Sequence, residues 1–360
     1  MIEEKSKLKV GVIGCGFVAK YRHIPCLLAI PEVELTSVCD LDDNRAKQVA
    51  EDFGISSFYT DAMEMVQKES LEIVHILTPP ESHMKLALMA LDAGCHVLIE
   101  KPFVYTVSEA DQVIKKSKET GFRFSVIHND LFTPTIMELK QRITQGEIGK
   151  ISSARVLYGG RDQSTVPDNW YFRMRGGRFG ETLPHPLCLL VEFIEGLEVI
   201  DVKAWKTGGC ITPAGLEEKY YDFDELHIEL VNESRNAFGY ISYSFNTNLP
   251  LILIVSGTKG SLFVHPFNNV FELPLRPSAT RPKDCIKLGI RLVGSVLGKV
   301  NLQKPKKTTA APRIQGSSHY GQISAFVRSI RENTQLPVTN EKAREVVRLW
   351  QDIVESYILK

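Results

Sequence analysis

The alternation of two kinds of segment between Leu8 and about residue 127 constrains the fold of this chain most strongly. Short runs rich in β-branched residues, such as KVGVIG, ELTSVCD, IVHILT, HVLIEKP and RFSVIHN, are separated by longer stretches of helical spacing. Strands that alternate with helices form βαβ units, and these units build a parallel sheet with helices on both faces. The pattern predicts a doubly wound α/β domain over residues 1–127.

The second half of the chain has a different pattern. The helical stretch TIMELKQRITQG is followed by strand-like runs joined by short turns, including DELHIELVNES and NAFGYISYSFN. Consecutive strands with short connections form antiparallel sheets, so residues 128–335 are predicted to form an α+β domain. Within it, residues 279–315 are predicted to be a variable insertion or lid. Residues 336–360 are predicted to form a helix that is capped by Asn340 and packs back on the first domain.

Charge and composition exclude several classes of partner. The 43 Lys and Arg residues balance the 43 Asp and Glu residues, so no net charge attracts the chain to nucleic acid or lipid headgroups. The scattered cysteines indicate reduced thiols and a cytoplasmic protein, and the acidic start does not resemble an export signal. The apolar stretch 286–300 contains three basic residues and is too short for a transmembrane helix. The histidines are dispersed along the chain, so no metal site is predicted.

A glycine-rich loop follows the first predicted strand. In VGVIGCGFVAKYRH, Gly14, Gly16 and Ala19 form the pattern G-x-G-x-x-A between a strand and a helix, which suits a dinucleotide pyrophosphate. Asp40 ends the second strand at the position of the acid that binds ribose hydroxyls, and this favours NAD. Arg45, one helical turn later, leaves NADP open. The alternative is a glycine turn that binds nothing, with Asp40 as a helix cap. The predicted cofactor contacts here are Gly14, Cys15, Gly16, Phe17, Val18, Ala19, Asp40, Leu41 and Arg45.

Further predicted cofactor contacts lie where later strands of the predicted α/β domain end. Thr78-Pro79-Pro80 follows the fourth strand, and Ser82 is predicted to cap the next helix. IEKP ends the fifth strand, so Lys101 lies where a nicotinamide ring would come close and could stabilise a hydroxyl that is being oxidised. A surface lysine is the alternative. The contacts predicted in these loops are Thr78, Pro79, Pro80, His83, Glu100, Lys101 and Asn129.

The segment GETLPHPLC holds a histidine between two prolines. Pro186 suits the first position of a helix, so His185 is expected just outside the helix N-terminus. The positive end of the helix dipole disfavours an imidazolium, and His185 is therefore expected to be neutral and able to accept a proton. Glu181 is expected to orient the ring or to bind another hydroxyl. The alternative is a helix-capping histidine without a chemical role.

The segments GVIGCGFVAKYRH, TPPESH, AGCHVLIEKPF and RGGRFGETLPHP together resemble the Gfo/Idh/MocA oxidoreductase family over nearly the whole chain. The resemblance implies a Rossmann domain followed by a domain with a large open, mainly antiparallel sheet, through which homodimers or homotetramers form. It also implies NAD(P)-dependent oxidation or reduction of a sugar or cyclitol hydroxyl, with Lys101 and His185 as catalytic residues. Glu181 stands where the family has aspartate. Leu183 and Cys188 also depart from its pattern, which puts the substrate contacts in doubt.

Aromatic and basic residues before the histidine are candidates for substrate binding. Aromatic faces stack on sugar rings, and arginines bind carboxylates or phosphates, so an anionic sugar such as a uronate or nucleotide sugar is one reading. Pairing of these arginines with carboxylates at a subunit interface is the other. The candidates are Tyr158, Arg161, Trp170, Arg173 and Arg178. Two rival functions remain open, a redox-neutral NAD-dependent glycosidase or lyase and a non-catalytic NAD-binding regulator.

Overall fold

The computed structural model describes residues 6–159, 170–207, 223–247, 251–265, 269–273 and 314–358. Arg161, the stretch 286–300 and all but the last two residues of the predicted insertion at 279–315 lie outside these ranges. No helix in the described ranges is both long enough and apolar enough to cross a bilayer.

Six parallel strands form the first sheet, in the order β3-β2-β1-β4-β5-β6. Their bounds are β1 Leu8–Ile13, β2 Val33–Cys39, β3 Ser57–Tyr59, β4 Ile73–Ile76, β5 His96–Ile99 and β6 Phe124–Val126. The central strands are buried because helices cover both faces, which explains their near-continuous apolar sequences. The predicted doubly wound parallel sheet is confirmed.

The helices of the first sheet begin and end mostly where their capping residues predict. They are α1 Ile24–Leu28, which follows a π-helical turn at Ala19–His23, α2 Asp43–Phe53, α3 Ala62–Glu69, α4 His83–Asp92 and α5 Val107–Thr120. Thr106 and Glu109 form a capping box at α5, and Gly121 ends that helix in the left-handed conformation. The predicted cap of α4 is wrong. A 3₁₀ turn at Pro80–Ser82 precedes this helix, and it leaves the Ser82 hydroxyl donating to the Pro79 carbonyl at 2.9 Å.

Seven strands form the second sheet, in the order β13-β12-β11-β7-β10-β9-β8. The strands β7 and β10 pair in parallel and all other pairs are antiparallel, so the predicted mainly antiparallel sheet is confirmed. The bounds are β7 Ile151–Gly159, β8 Leu197–Trp205, β9 Glu225–Asn232, β10 Phe238–Ser244, β11 Ile252–Gly257, β12 Ser261–His265 and β13 Asn269–Leu273.

Five α-helices accompany the second half of the described chain. They are α6 Pro134–Thr144, α7 Gly177–Thr182, α8 Pro184–Phe193, α9 Ser318–Arg331 and α10 Asn340–Ile358. The apolar α8 packs on β7 and buries the inner face of the second sheet. The predicted Asn340 cap is wrong by one residue, because Thr339 Oγ1 accepts the Lys342 N–H at 3.3 Å and Asn340 already lies in the helix.

Helix α10 joins the layers of the two sheets. It packs on α5 and β6 of the first and on α8 and β8 of the second. Trp350, which is 1% exposed, stacks on Tyr105 with ring centroids 5.5 Å apart. Its Nε1–H donates to the Gly180 carbonyl at 2.7 Å. The tail of the chain therefore braces α7, the short helix that carries Glu181.

Candidate active site

The glycine loop after β1 has the geometry that a pyrophosphate requires. Gly14 has a φ of +98°, and a Cβ there would lie 2.8 Å from the backbone of Leu77, so the turn requires glycine. A Cβ on Gly16 would meet nothing within 4 Å. The open space at Gly16 lets a ligand approach the backbone, and Ala19 is fully buried where the helix packs on the strand. The residues present therefore fit a dinucleotide.

The Asp40 carboxylate is hydrogen-bonded to the backbone of the glycine loop. Its Oδ2 accepts the Cys15 N–H at 2.8 Å, and its Oδ1 accepts the Asp42 N–H at 3.0 Å. Arg45 Nη1 lies 3.3 Å from the same carboxylate. The sequence predicted a ribose ligand here, and the carboxylate also supports the shape of the phosphate loop. Phe17 and Leu41, which are 67% and 95% exposed, border the loop.

The predicted residues after β4 and β5 divide between the cleft and the interior. Thr78 Oγ1 pairs with the Ser82 hydroxyl at 2.6 Å. His83 is fully buried, and its ring nitrogens lie 2.7 Å from the Thr78 carbonyl and 2.9 Å from the Phe103 carbonyl. Burial lowers the pKa of His83. The ring connects the loops after β4 and β5, and the role of His83 as a cofactor contact stays a prediction.

Lys101 belongs to a compact ionic cluster. Its Nζ donates to the Glu181 carboxylate and, at 3.2 Å, to the Glu181 carbonyl. Arg178 donates to the second carboxylate oxygen of Glu181 and lies over the ring of Tyr171, 4.7 Å from the centroid. Burial raises the pKa of Glu181, but the charges of Lys101 and Arg178 outweigh it and the net pKa is lowered. Glu181 is therefore an ionised anchor for two cations.

His185 pairs with a carboxylate other than the predicted one. Its Nδ1 lies 3.0 Å from Asp130 Oδ2, whereas Glu181 is engaged by Lys101 and Arg178. Burial raises the pKa of Asp130, but the charge and hydrogen bond of His185 lower it overall. Asp130 was missed from the sequence, although its position just after β6, at the carboxyl edge of the sheet, could have indicated it.

The start of α8 differs from the prediction. Leu183 is already helical at φ −55° and ψ −31°, so Pro184 takes the first helical position. His185 therefore lies inside the first turn rather than outside the helix. The cause is continuity with α7, since the Leu183 N–H bonds to the Phe179 carbonyl at 2.8 Å and the Leu187 N–H bonds to the Leu183 carbonyl at 3.2 Å.

A group of histidines that the sequence did not predict surrounds Glu100. His23 Nε2 lies 3.0 Å from Glu100 Oε1, and His23 Nδ1 lies 3.0 Å from His75 Nδ1. His319 Nε2 lies 4.0 Å from Glu100 Oε1. Burial raises the pKa of Glu100, but the hydrogen bond from His23 and the nearby charges lower it to about 2. Residues this distant in sequence leave no spacing signal.

The predicted substrate residues lie around the ionic cluster or at the surface. Tyr158 stacks at a tilt on Tyr243, with centroids 4.8 Å apart, and burial raises its pKa to about 12. Trp170 is 37% exposed and Arg173 is exposed. Arg178 pairs with Glu181 within the chain, so an anionic ligand would compete with an existing partner. Asn129 bonds Asp130 and Ser318 through its Nδ2 at 3.1 and 3.0 Å.

His128, beside this cluster, links stability to pH. Burial, together with the charge of His185, lowers its pKa from the ordinary 6.5 to about 4. The unfolded chain binds the proton more readily, so stability is lost as the pH falls below 6.5 towards 4, by about 2 kcal/mol at about pH 5. Urea denaturation across this range should show a shallower pH dependence in His128→Phe. An identical pH dependence in both proteins would contradict the assignment.

A parallel sheet with this loop and this acid is the pattern of a dinucleotide-binding Rossmann domain. The family model described as "Oxidoreductase family, NAD-binding Rossmann fold" matches residues 8–128, and the GFO/IDH/MocA C-terminal domain model matches residues 136–263. The chain belongs to the Gfo/Idh/MocA oxidoreductase family, as the sequence predicted.

Curated relatives include dehydrogenases that use either cofactor. The NAD(+)-dependent scyllo-inositol 2-dehydrogenase of Bacillus subtilis is 28% identical over 262 residues, which cover 72% of this chain and 74% of that protein. An NADP(+)-dependent scyllo-inositol 2-dehydrogenase of the same organism is 26% identical over 353 residues, or 97% and 93% of the two chains. Oxidoreductase P35 of Formosa agariphila is 27% identical over 213 residues, and the chain covers 65% of its length.

Solved structures share the fold. An oxidoreductase from Agrobacterium radiobacter, solved in complex with NAD+, L-tartaric acid and magnesium, superposes with a TM-score of 0.77 over 98% of this chain and 97% of that chain. The sequence identity is 18%, so this likeness shows the fold alone. With the family and its dehydrogenase members, the chain is an NAD(P)-dependent dehydrogenase by class.

Proposed function

We propose that this protein oxidises a secondary hydroxyl of a neutral sugar or cyclitol, or reduces the corresponding ketone, with His185 as the acid/base and Lys101 as its partner. One observation supports this proposal most directly. Lys101, Glu181, Asp130 and His185 form one cluster, and Lys101 and Asp130 follow strands at the same edge of the sheet as the glycine loop. A bound nicotinamide supplies the hydride chemistry.

The side chains of the cluster have separate roles in the proposed reaction. Asp130 holds His185 through Nδ1, which leaves Nε2 as the atom that takes the hydroxyl proton. Lys101 can donate a hydrogen bond to the same oxygen and stabilise the negative charge that develops there. Glu181, whose second carboxylate oxygen accepts from Arg178, holds the Lys101 ammonium in place, so little reorganisation is needed during the reaction.

The balance of charge in the cluster favours a neutral polyhydroxylated substrate over an anionic one. Lys101 and Arg178 both pair with Glu181, and the charge of Lys101 also acts on the nearby Asp130 carboxylate. Two positive and two negative charges leave these four side chains with no net charge. The inositol dehydrogenases among the relatives agree with this choice. We further propose that NAD is preferred to NADP, because the Asp40 carboxylate would repel a 2′-phosphate and Arg45 is already paired with Asp40 and Asp42.

A substrate screen tests the function. Inositols, neutral sugars, uronates and nucleotide sugars are incubated with NAD+ or NADP+, and the absorbance of the reduced nicotinamide is followed. We expect turnover with a neutral polyol and a higher kcat/KM for NAD+. Turnover without accumulation of reduced cofactor would favour a redox-neutral lyase, and cofactor binding without turnover on any class would favour a regulator.

We also propose that the outer face of the second sheet joins two copies of the chain. Trp205 and Phe238 are 41% and 51% exposed on this face, where Trp205 contacts His227 and His227 contacts Tyr240. Exposed apolar surface of this kind marks an interaction site.

The introduction of a charge on that face tests the interface. Phe238→Glu is expected to convert the oligomer to monomers, because a carboxylate would lose water in the buried interface. Phe58, 40% exposed on β3 of the first sheet, gives the matched control Phe58→Glu. Light scattering after size-exclusion chromatography gives the masses. An unchanged mass for Phe238→Glu, or an equal loss in the control, would exclude this face.

A further inference from the structure

We infer that His23, Glu100 and His319 form a binding site for a divalent transition-metal ion of the Zn²⁺ class. One ligand atom from each of these three side chains lies within 4.8 Å of the other two. Two imidazoles and one carboxylate are a donor set that Zn²⁺ and related ions bind, with a further position left open. The dispersal of histidines in the sequence hides this grouping, because its members come from three distant segments.

The distances are close to those of a metal site. Ligand atoms about 2.0–2.1 Å from a tetrahedral ion lie roughly 3.3 Å from each other. His23 Nε2 and Glu100 Oε1 are 3.0 Å apart, and His319 Nε2 is 4.0 Å from the same oxygen. A movement of the His319 ring by on the order of 1 Å would complete the set.

The surroundings of His23 and Glu100 suit them as ligands. A histidine that binds a metal usually donates its other ring N–H to an acceptor, and His75 Nδ1 lies 3.0 Å from His23 Nδ1. Glu100 Oε2 accepts the Lys101 N–H at 2.9 Å, which leaves Oε1 for the ion. The carboxylate is thereby oriented by the backbone of the catalytic lysine.

His319 is the least tightly held of the three proposed ligands. Its side chain is 16% exposed, and within the described part of the chain its ring makes no hydrogen bond. Its nearest acidic neighbour is Glu100, and its ring stands edge-on to His23 with centroids 5.9 Å apart. An ion here would tie α9 to the turn before α1 and to the loop after β5, and would so fix the backbone at Lys101.

Metal binding can be measured without catalysis. The full chain is treated with a chelator, then titrated with Co²⁺ and with Zn²⁺, in the presence and absence of NAD+. We expect one equivalent of Co²⁺ with the intense visible bands of a low-coordinate site, displaced by Zn²⁺, and a rise in Tm with Zn²⁺. The absence of stoichiometric binding in the wild-type chain would overturn the inference, whatever the substrate screen gives.

Variants locate the site. His319→Ala removes a ligand but no described hydrogen bond, so the fold should persist, as circular dichroism can verify. Loss of a partner outside the ligand set costs roughly 10–100-fold in affinity, and we expect at least this loss for His319→Ala. His227→Ala, in the second sheet, is the matched control and should bind Co²⁺ as the wild type does. Equal Co²⁺ affinity in His319→Ala and the wild type would exclude these ligands, and His319→Gln repeats the comparison if the alanine variant is unfolded.

Discussion

Replacement of His185 by asparagine is expected to lower kcat by about 10²–10⁴-fold, because an amide cannot take the hydroxyl proton at neutral pH. Asparagine keeps a polar group near Asp130, whose Oδ2 lies 3.0 Å from the histidine ring. Steady-state kinetics on the substrate found by the screen give kcat, and fluorescence titration gives the affinity for NADH. We expect the affinity for NADH to remain unchanged, since no atom of His185 belongs to the phosphate loop.

A substitution of Asp130, the carboxylate beside His185, is expected to have a smaller effect than His185→Asn. Asp130→Asn leaves the imidazole in place but removes the charge that orients it, so a smaller loss of kcat is expected, with a changed pH profile. If Asp130 only supported the fold, kcat and KM would follow the loss of stability and the pH profile would keep its shape. Undiminished turnover in His185→Asn would show that another group moves the proton.

The largest loss of stability is expected for Trp350→Ala, at about 3–5 kcal/mol in the free energy of unfolding. The indole is 1% exposed, packs on Tyr105, and donates to the Gly180 carbonyl. Its truncation leaves a cavity between the layers of the two sheets and an unpaired carbonyl in α7. Urea denaturation followed by circular dichroism measures the change.

Trp350→Phe separates the hydrogen bond from the packing. A phenyl ring keeps most of the stacking on Tyr105 but leaves the Gly180 carbonyl without its N–H donor, which costs about 1–3 kcal/mol. The phenylalanine variant should therefore lie between the wild type and the alanine variant. Met137, which is 55% exposed on α6, provides the control Met137→Ala, expected to lose little stability. Equal stability of Trp350→Ala and the wild type would contradict the bracing role of α10.

The parts of the fold that local sequence determines were predictable. The G-x-G-x-x-A loop, the acid at Asp40 and the strand–helix alternation each depend on residues near one another, and all three appear where expected. Helix starts were less predictable, since Leu183 is drawn into helical geometry by α7 and Thr339 takes the cap predicted for Asn340. These choices depend on one or two backbone hydrogen bonds that propensity cannot rank.

Long-range partners were the least predictable features. Nothing in GETLPHPLC indicates that Glu181 turns to Lys101, while His185 pairs with Asp130 across 55 residues. Lys101 and Arg178 both reach Glu181, so Asp130, which the sequence did not predict, takes the role of orienting His185. Similarly, His23 is 77 residues from Glu100, and only the meeting of β1, β4 and β5 in the sheet brings their loops together.

The backbone hydrogen bonds that Asp40 accepts limit how the coenzyme preference of this enzyme could be changed. Replacement of the acid after the second strand by a small residue would remove the repulsion of a 2′-phosphate. Here that change would also leave the Cys15 and Asp42 amides without their acceptor, so the glycine loop would lose part of its support. Engineering would do better to keep the carboxylate and place a cation at the solvent-facing Leu41.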